Sequence, residues 1–294
     1  HIEHRLRDEA AKRQMEGELR AARRIQAALL PEAFPDRPDR PFTLRAVNEP
    51  AKRVAGDFFD FFMVDRRTLA VVMADVSGKG IPAAIYMAVT RTTLRLFASP
   101  DKTPARVVAE VNRSLASENN NEMFVTLFLA YYDIESGELT YANAGHVPPY
   151  VLREGGRLDS LEPTGPLVAP FADAVFEDAR CRLEPGDQLI LYTDGVTEAM
   201  SADGKFYGEE RFKAFLHLRD EDRQDDVCQG ILDEIREFSR GELSDDATLL
   251  VLRRTGRVAP ILDGSTTGAV SNSLGVREDP EIWDVTLEPE TPPR

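Results

Sequence analysis

The stretch Thr68-Leu69-Ala70-Val71-Val72-Met73-Ala74-Asp75-Val76-Ser77-Gly78-Lys79-Gly80 runs through six uninterrupted apolar residues into Asp75 and then a glycine-bounded turn. Apolar on both pleat faces, Thr68–Asp75 predicts a strand buried on both sides. Upstream, Asp65-Arg66-Arg67 reads as a hairpin turn joining it to the aromatic-rich run Gly56–Val64. Downstream, Gly78-Lys79-Gly80 opens a helix over Ile81–Ala98, with Pro82 early, where its missing N–H costs little.

Working outward, Thr103 and Pro104 start a second helix whose apolar face is Val107, Val108, Val111 and Leu115. Phe42–Asn48 alternates like a half-buried strand. Strands are also predicted over Phe124–Ile134, Leu139–Asn143, Tyr150–Arg153, Arg157–Leu161, Val175–Leu183, Gln188–Thr193 and Ala247–Arg253, and helices over Gly208–Leu218 and Asp225–Phe238. Strands cluster as hairpins and helices come in pairs. That pattern predicts an α+β domain with antiparallel sheets, not a doubly wound parallel sheet.

Residues 1–30 contain good helix formers, no proline and one glycine. Met15, Leu19, Ala22, Gln26 and Leu29 form a seam, widened by Ile25; it reads equally as a short coiled coil or as a helix packed on its own domain. Pro31 and Pro35 end the helix. The chain opens within this helix and without a start methionine, which predicts a fragment of a longer protein. The expected organisation is a helical linker or dimerisation segment (1–30), a catalytic domain (31–254) and an acidic, disordered tail (255–294). Trp283 in that tail reads as a docking segment or as an ordinary packed or linker residue.

The net charge of −15 over 294 residues argues against nucleic-acid or anionic-membrane binding. No stretch approaches eighteen apolar residues and no secretory signal is present. Cys181 and Cys228 are far apart and in no ligand spacing, as for reduced thiols in a cytoplasmic protein.

The chemistry lies in aspartates: Asp57 before the aromatic strand, Asp75 at the end of a buried one, Asp194 after Leu189-Ile190-Leu191-Tyr192-Thr193, and Asp245-Asp246 before Ala247-Thr248. One such residue alone is a turn or cap aspartate. Four acidic positions at strand ends, with almost no His or Cys, suggest hard divalent cations. Two such ions can activate a bridging water and hold a phosphate ester. His146, in Asn143-Ala144-Gly145-His146, reads more readily as structural than as a ligand.

These pieces also carry a resemblance. Ile25-Gln26-Ala27-Ala28-Leu29-Leu30-Pro31, Gly56-Asp57-Phe58-Phe59-Asp60, Ala74-Asp75-Val76-Ser77-Gly78-Lys79-Gly80, Asn143-Ala144-Gly145-His146, Tyr192-Thr193-Asp194-Gly195 and Asp245-Asp246-Ala247-Thr248 occur in an order that resembles the metal-dependent protein phosphatases of the PPM (type 2C) family, in their bacterial SpoIIE/RsbU-type branch. The resemblance implies two antiparallel sheets sandwiched between pairs of helices, with two Mn²⁺ or Mg²⁺ ions between the sheets. It implies that Asp57 bridges both ions and that Asp75 and the Val76 carbonyl join one. Asp194 and Asp245 would complete the other, with Asp246 the alternative to Asp245. The implied substrate is a phosphorylated anti-anti-sigma-factor-like protein, with an upstream sensor domain, a homodimer through the N-terminal helix and a switch in the helix pair after Asp75.

The match has departures. Gly56 stands where eukaryotic members have an acidic residue, Ser77 where they have a histidine, and Ala55 where the bacterial branch commonly has glycine. Lys52 stands near the place of their phosphate-binding arginine; its plainer reading is a solvated loop lysine. The competing readings are a catalytically silent scaffold of the same fold and a two-metal hydrolase of small phosphate esters.

Overall fold

The computed structural model describes residues 2–31, 40–51, 54–117, 123–219, 226–241 and 243–256. The readings placed on Pro35, Lys52, Trp283 and the tail beyond residue 256 lie outside them.

The elements are helix α1 (Ile2–Leu29), strands β1 (Phe42–Glu49), β2 (Phe58–Met63) and β3 (Thr68–Val76), helices α2 (Ile81–Phe97) and α3 (Pro104–Ser117), strands β4 (Val125–Asp133), β5 (Glu138–Ala144), β6 (Tyr150–Leu152), β7 (Leu158–Ser160), β8 (Ala179–Arg182) and β9 (Gln188–Tyr192), helices α4 (Asp194–Thr197), α5 (Glu209–Arg219) and α6 (Val227–Phe238), and strand β10 (Ala247–Arg254). One sheet has the order β1-β10-β9-β6-β7 and the other β2-β3-β4-β5-β8. Every pairing between these strands is antiparallel.

Side-chain alternation explains the layers. In β3, Leu69, Val71 and Met73 join a core that includes Leu189, Leu191, Leu250 and Leu252 of the other sheet. The intervening Ala70, Val72, Ala74 and Val76 pack with Met87 and Leu94 of α2 and Val107, Val108 and Val111 of α3. Both faces are therefore buried, as the unbroken apolar run predicts. Ile190 and Tyr192 of β9 alternate outward to Phe212 and Leu216 of α5 and Ile231 and Ile235 of α6. The result is a helix–sheet–sheet–helix sandwich, in which each fully buried aliphatic side chain contributes about 2 kcal/mol.

On β2, the same alternation puts Asp60 on the helix-facing side. Its carboxylate is fully buried and meets Arg95 Nε at 2.6 Å and Arg91 Nε at 3.0 Å, both from α2. Arg95 also stacks over Phe62 at 4.6 Å. This charge cluster clamps α2 onto β2.

Local differences from the sequence reading have physical causes. The strand expected over Val175–Leu183 forms only at Ala179–Arg182, because Phe176 turns inward to pack with the α2–α3 layer while Val175 stays 73% exposed. The first turn of α3 is met from afar: Asp178 Oδ1 accepts the Ala105 N–H at 2.8 Å. Among the described residues, no helix is long and apolar enough to cross a membrane.

Candidate metal centre

Antiparallel connectivity gathers the aspartates at one end of the sandwich. Asp57 precedes β2 and Asp75 lies near the end of β3, with Phe58 paired to Ala74 between them. In the other sheet β9 runs out toward Asp194 while β10 enters from Asp245-Asp246, with Tyr192 paired to Leu249. Asp194 opens the short helix α4, an element the sequence reading did not anticipate.

Polar residues bolt the two sheet ends together. The Thr248 hydroxyl donates to Asp57 Oδ2 at 3.0 Å. Asn48 donates to that hydroxyl at 2.9 Å, and the Thr248 N–H donates to the Thr193 hydroxyl at 3.0 Å. Asp246 uses both carboxylate oxygens on the segment before Asp57, accepting the Ala51 N–H at 2.8 Å and the Gly56 N–H at 3.0 Å. Asp245 instead faces Lys79, whose ammonium lies 2.5 Å away.

The electrostatics follow from this crowding. Burial, and then the charge of Asp75, hold the Asp57 carboxyl well above the usual carboxylate range. Burial pushes Asp75 up to about 7, reinforced by the charges of Asp194, Asp245 and Asp246 and opposed by its hydrogen bond with Asp57. These two carboxyls therefore share a proton unless a cation takes its place. Burial likewise raises Asp194, and raises Asp246 against the lowering effect of its two backbone donors.

Among the described residues, no three such groups close into a finished metal cage. The donor set nevertheless fits hard divalent cations: it is all oxygen, partly buried and mutually repulsive. The Val76 carbonyl faces the residue before Asp57, since a Cβ at Gly56 would stand 2.9 Å from it. Glycine is thus required at 56 for this approach. Beyond Val76, Gly78 (φ 88°) and Gly80 (φ 84°) supply the left-handed turn into α2.

Other predicted residues have defined places. His146 is 2% exposed, hydrogen-bonded to Thr126 Oγ1 at 2.8 Å and to the Tyr192 carbonyl at 3.1 Å. It links β4 of one sheet to β9 of the other and is held near pH 4 by burial, hence neutral. Ser77 accepts the Phe124 N–H at 2.9 Å. Thr193, Thr248 and Lys79 lie within the sequence motifs, where nothing marks them for these tasks. Asn48 is not marked either; a threonine or asparagine in an otherwise apolar strand end was the available signal.

The comparisons agree with this architecture. Residues 65–255 match the family model of stage II sporulation protein E (SpoIIE). Protein IcfG of Synechocystis sp. is 32% identical over 81% of this chain, which spans 41% of its length. Phosphoserine phosphatase RsbU of Bacillus subtilis is 29% identical over 82% of this chain and 71% of its own. The solved SiaA-PP2C domain of Pseudomonas aeruginosa superposes with a TM-score of 0.72 at 20% identity, covering 83% of this chain and 98% of that one. The two-sheet sandwich is thus a PP2C (PPM-type) phosphatase fold. Within that class, the chain belongs to the SpoIIE family.

Proposed function

We propose that this domain hydrolyses phosphoserine and phosphothreonine on a small regulatory protein of the anti-anti-sigma-factor type, using two divalent cations, Mn²⁺ or Mg²⁺. The observation that carries the reading is the buried Asp57 beside the half-buried Asp75, faced by Asp194 and Asp245 across the sheet ends. When bound, the cations supply Lewis acidity that activates water and offsets phosphoryl charge.

The residues divide this work. Asp57, gripped by Thr248 and the central member of the set, would hold both ions when they are bound. Asp75 and the Val76 carbonyl would hold one ion, and Asp194 and Asp245 would hold the other. Asp246 is assigned to the loop, because both its oxygens are engaged by N–H groups of the 51–56 segment, whereas Asp245 Oδ1 accepts only the neighbouring Asp246 N–H and its Oδ2 faces a half-exposed lysine. The Ser77 hydroxyl is committed to the Phe124 N–H, and with no histidine at this position the leaving serine oxygen takes its proton from solvent.

Regulation is assigned to α1. Gln26 donates to the Ala55 carbonyl at 2.7 Å and accepts the Ala55 N–H at 2.9 Å, two residues from Asp57. A displacement of α1 would therefore act on the metal bridge directly. Ala22, Ile25 and Leu29 of α1 and Ile81, Ile85 and Val89 of α2 line an apolar groove of about 520 Å³, which supports a homodimer formed through the N-terminal helix. On this reading residues 1–30 are the linker, 31–254 the catalytic domain and 255–294 a tail, in a cytoplasmic partner-switching protein with an upstream sensor. Deleting residues 1–22 then lowers activity or dimerisation; equal activity and unchanged mass would reject the assignment.

The activity itself is tested by Mn²⁺-dependent hydrolysis of p-nitrophenyl phosphate. Wild type should turn over, and EDTA or Asp194→Asn should abolish turnover. Hydrolysis surviving either would reject the two-metal reading, and inactivity with weak metal binding would favour the silent scaffold.

A further inference from the structure

Among the described residues, Lys79 is a cation that acts on Asp194, Asp245 and Asp246 together. Its ammonium donates to Asp245 Oδ2 at 2.5 Å and to the Ser244 carbonyl at 3.2 Å. The backbone delivers it there: Lys79 sits between two positive-φ glycines, immediately after Val76 and Ser77. The base of that turn is pinned, because the Ser77 N–H donates to the Phe124 carbonyl at 2.9 Å and the Ser77 hydroxyl accepts the Phe124 N–H. The side chains of Lys79 and Asp245 remain 41% and 39% exposed, so the pair lies at the mouth of the carboxylate cluster.

Two facts make this pair more than a surface salt bridge. Asp245 is the acidic group of the last motif whose oxygens are not both held by the backbone of the 51–56 segment, so the lysine occupies the carboxylate that a cation would claim. Charge balance gives the lysine a second task. Asp57, Asp75, Asp194, Asp245 and Asp246 carry five negative charges when ionised, with Glu198 beside Asp194 a sixth, so two divalent cations leave the cluster negative. Lys79 offsets part of that excess before a phosphate dianion arrives. Its ammonium is a compact charge on a flexible stem, suited to swinging from a carboxylate to a neighbouring anion.

We propose that Lys79 is a phosphate-binding residue that releases Asp245 and takes hold of the substrate's phosphoryl oxygens when a divalent cation claims that carboxylate. This rests on the phosphatase reading above but is tested apart from it. The variants are Lys79→Met, which keeps length without charge, and Lys79→Arg, which keeps charge. Unfolding curves confirm that each is folded. By calorimetry on metal-free protein, Lys79→Met binds Mn²⁺ several-fold more tightly than wild type, because its competitor for Asp245 is gone. On Mn²⁺-saturated protein, Lys79→Met binds inorganic phosphate at least tenfold more weakly, and Lys79→Arg recovers most of that loss. In p-nitrophenyl phosphate assays the Lys79→Met defect falls more on KM than on kcat. Unchanged phosphate affinity in Lys79→Met, or Mn²⁺ affinity that is equal or weaker, overturns the proposal. If the calorimetric differences appear but wild type hydrolyses nothing, the lysine assignment stands and the phosphatase reading falls.

Discussion

The Thr248 hydroxyl and the Asp57 carboxylate, 3.0 Å apart, join the start of β10 in one sheet to the residue heading β2 in the other. This bond fixes the orientation of the carboxylate assigned to bridge both cations. Thr248→Val keeps the shape and removes the donor, leaving a buried acceptor short of one partner. The expected cost is about 1–3 kcal/mol in Mn²⁺ binding free energy, with Thr248→Ser restoring most of it. Calorimetric Mn²⁺ affinities check this; equal affinities in wild type and the valine variant would show that the bond has no positioning role.

Asp60 is a buried charge with two arginine partners on α2. Removing it leaves the largely enclosed Arg91 guanidinium without its carboxylate against an apolar layer and unpairs the more exposed Arg95. Asp60→Ala should lose about 3 kcal/mol of stability, read as a lower urea midpoint at unchanged slope. Arg95→Met should lose less, because Arg91 still pairs the carboxylate. A midpoint for Asp60→Ala within error of wild type would refute the clamp.

Proton linkage at the Asp57–Asp75 pair has a definite sign. Both carboxyls are raised, Asp75 to about 7, by burial first and neighbouring charge second. The stability they contribute to the metal-free protein is fully present below the usual carboxylate range. It is lost as pH rises through 7. A divalent cation must displace the shared proton, so Mn²⁺ affinity climbs by up to about tenfold per pH unit below 7 for one proton released. Titrations in two buffers of different ionisation enthalpy measure that release. Affinity independent of pH, with no proton released, would contradict the pairing.

His146 has the opposite sign. Its folded-state pKa of about 4 lies below the ordinary 6.5, because burial disfavours the charged ring. Its contribution is complete above 6.5 and fades as pH falls toward 4, by at most about 3 kcal/mol. The stability gap between wild type and His146→Gln should therefore shrink over that window, a comparison in which the aspartates cancel. A constant gap would mean the imidazole is not buried neutral between the sheets.

Much of this was legible in the sequence for identifiable reasons. Thr68–Asp75 could be read as a two-faced strand because Leu69–Ala74 offers no polar face to water, and hairpin turns set the antiparallel order. Asp57, Asp75, Asp194 and the Asp245-Asp246 pair stood out because a carboxylate at the end of an apolar strand needs a partner. The partners themselves were not legible. Lys79 and Asp245 are 166 residues apart, and Gln26 and Ala55 meet only because α1 folds back beside α2. Helix α4 is a single turn, too short for periodicity to register. Val175 continues an alternating pattern, yet tertiary packing of Phe176 took the chain off the sheet edge.

The central claim is that these strand-end aspartates hold two divalent cations. Anomalous scattering from Mn²⁺-soaked crystals tests it most directly. The account predicts two manganese peaks between the sheet ends, Asp57 touching both, Asp75 and the Val76 carbonyl on one, Asp194 and Asp245 on the other, with Asp246 still on the Ala51 and Gly56 N–H groups. Manganese elsewhere, or an empty cluster with the Asp245–Lys79 pair intact at saturating metal, would contradict it.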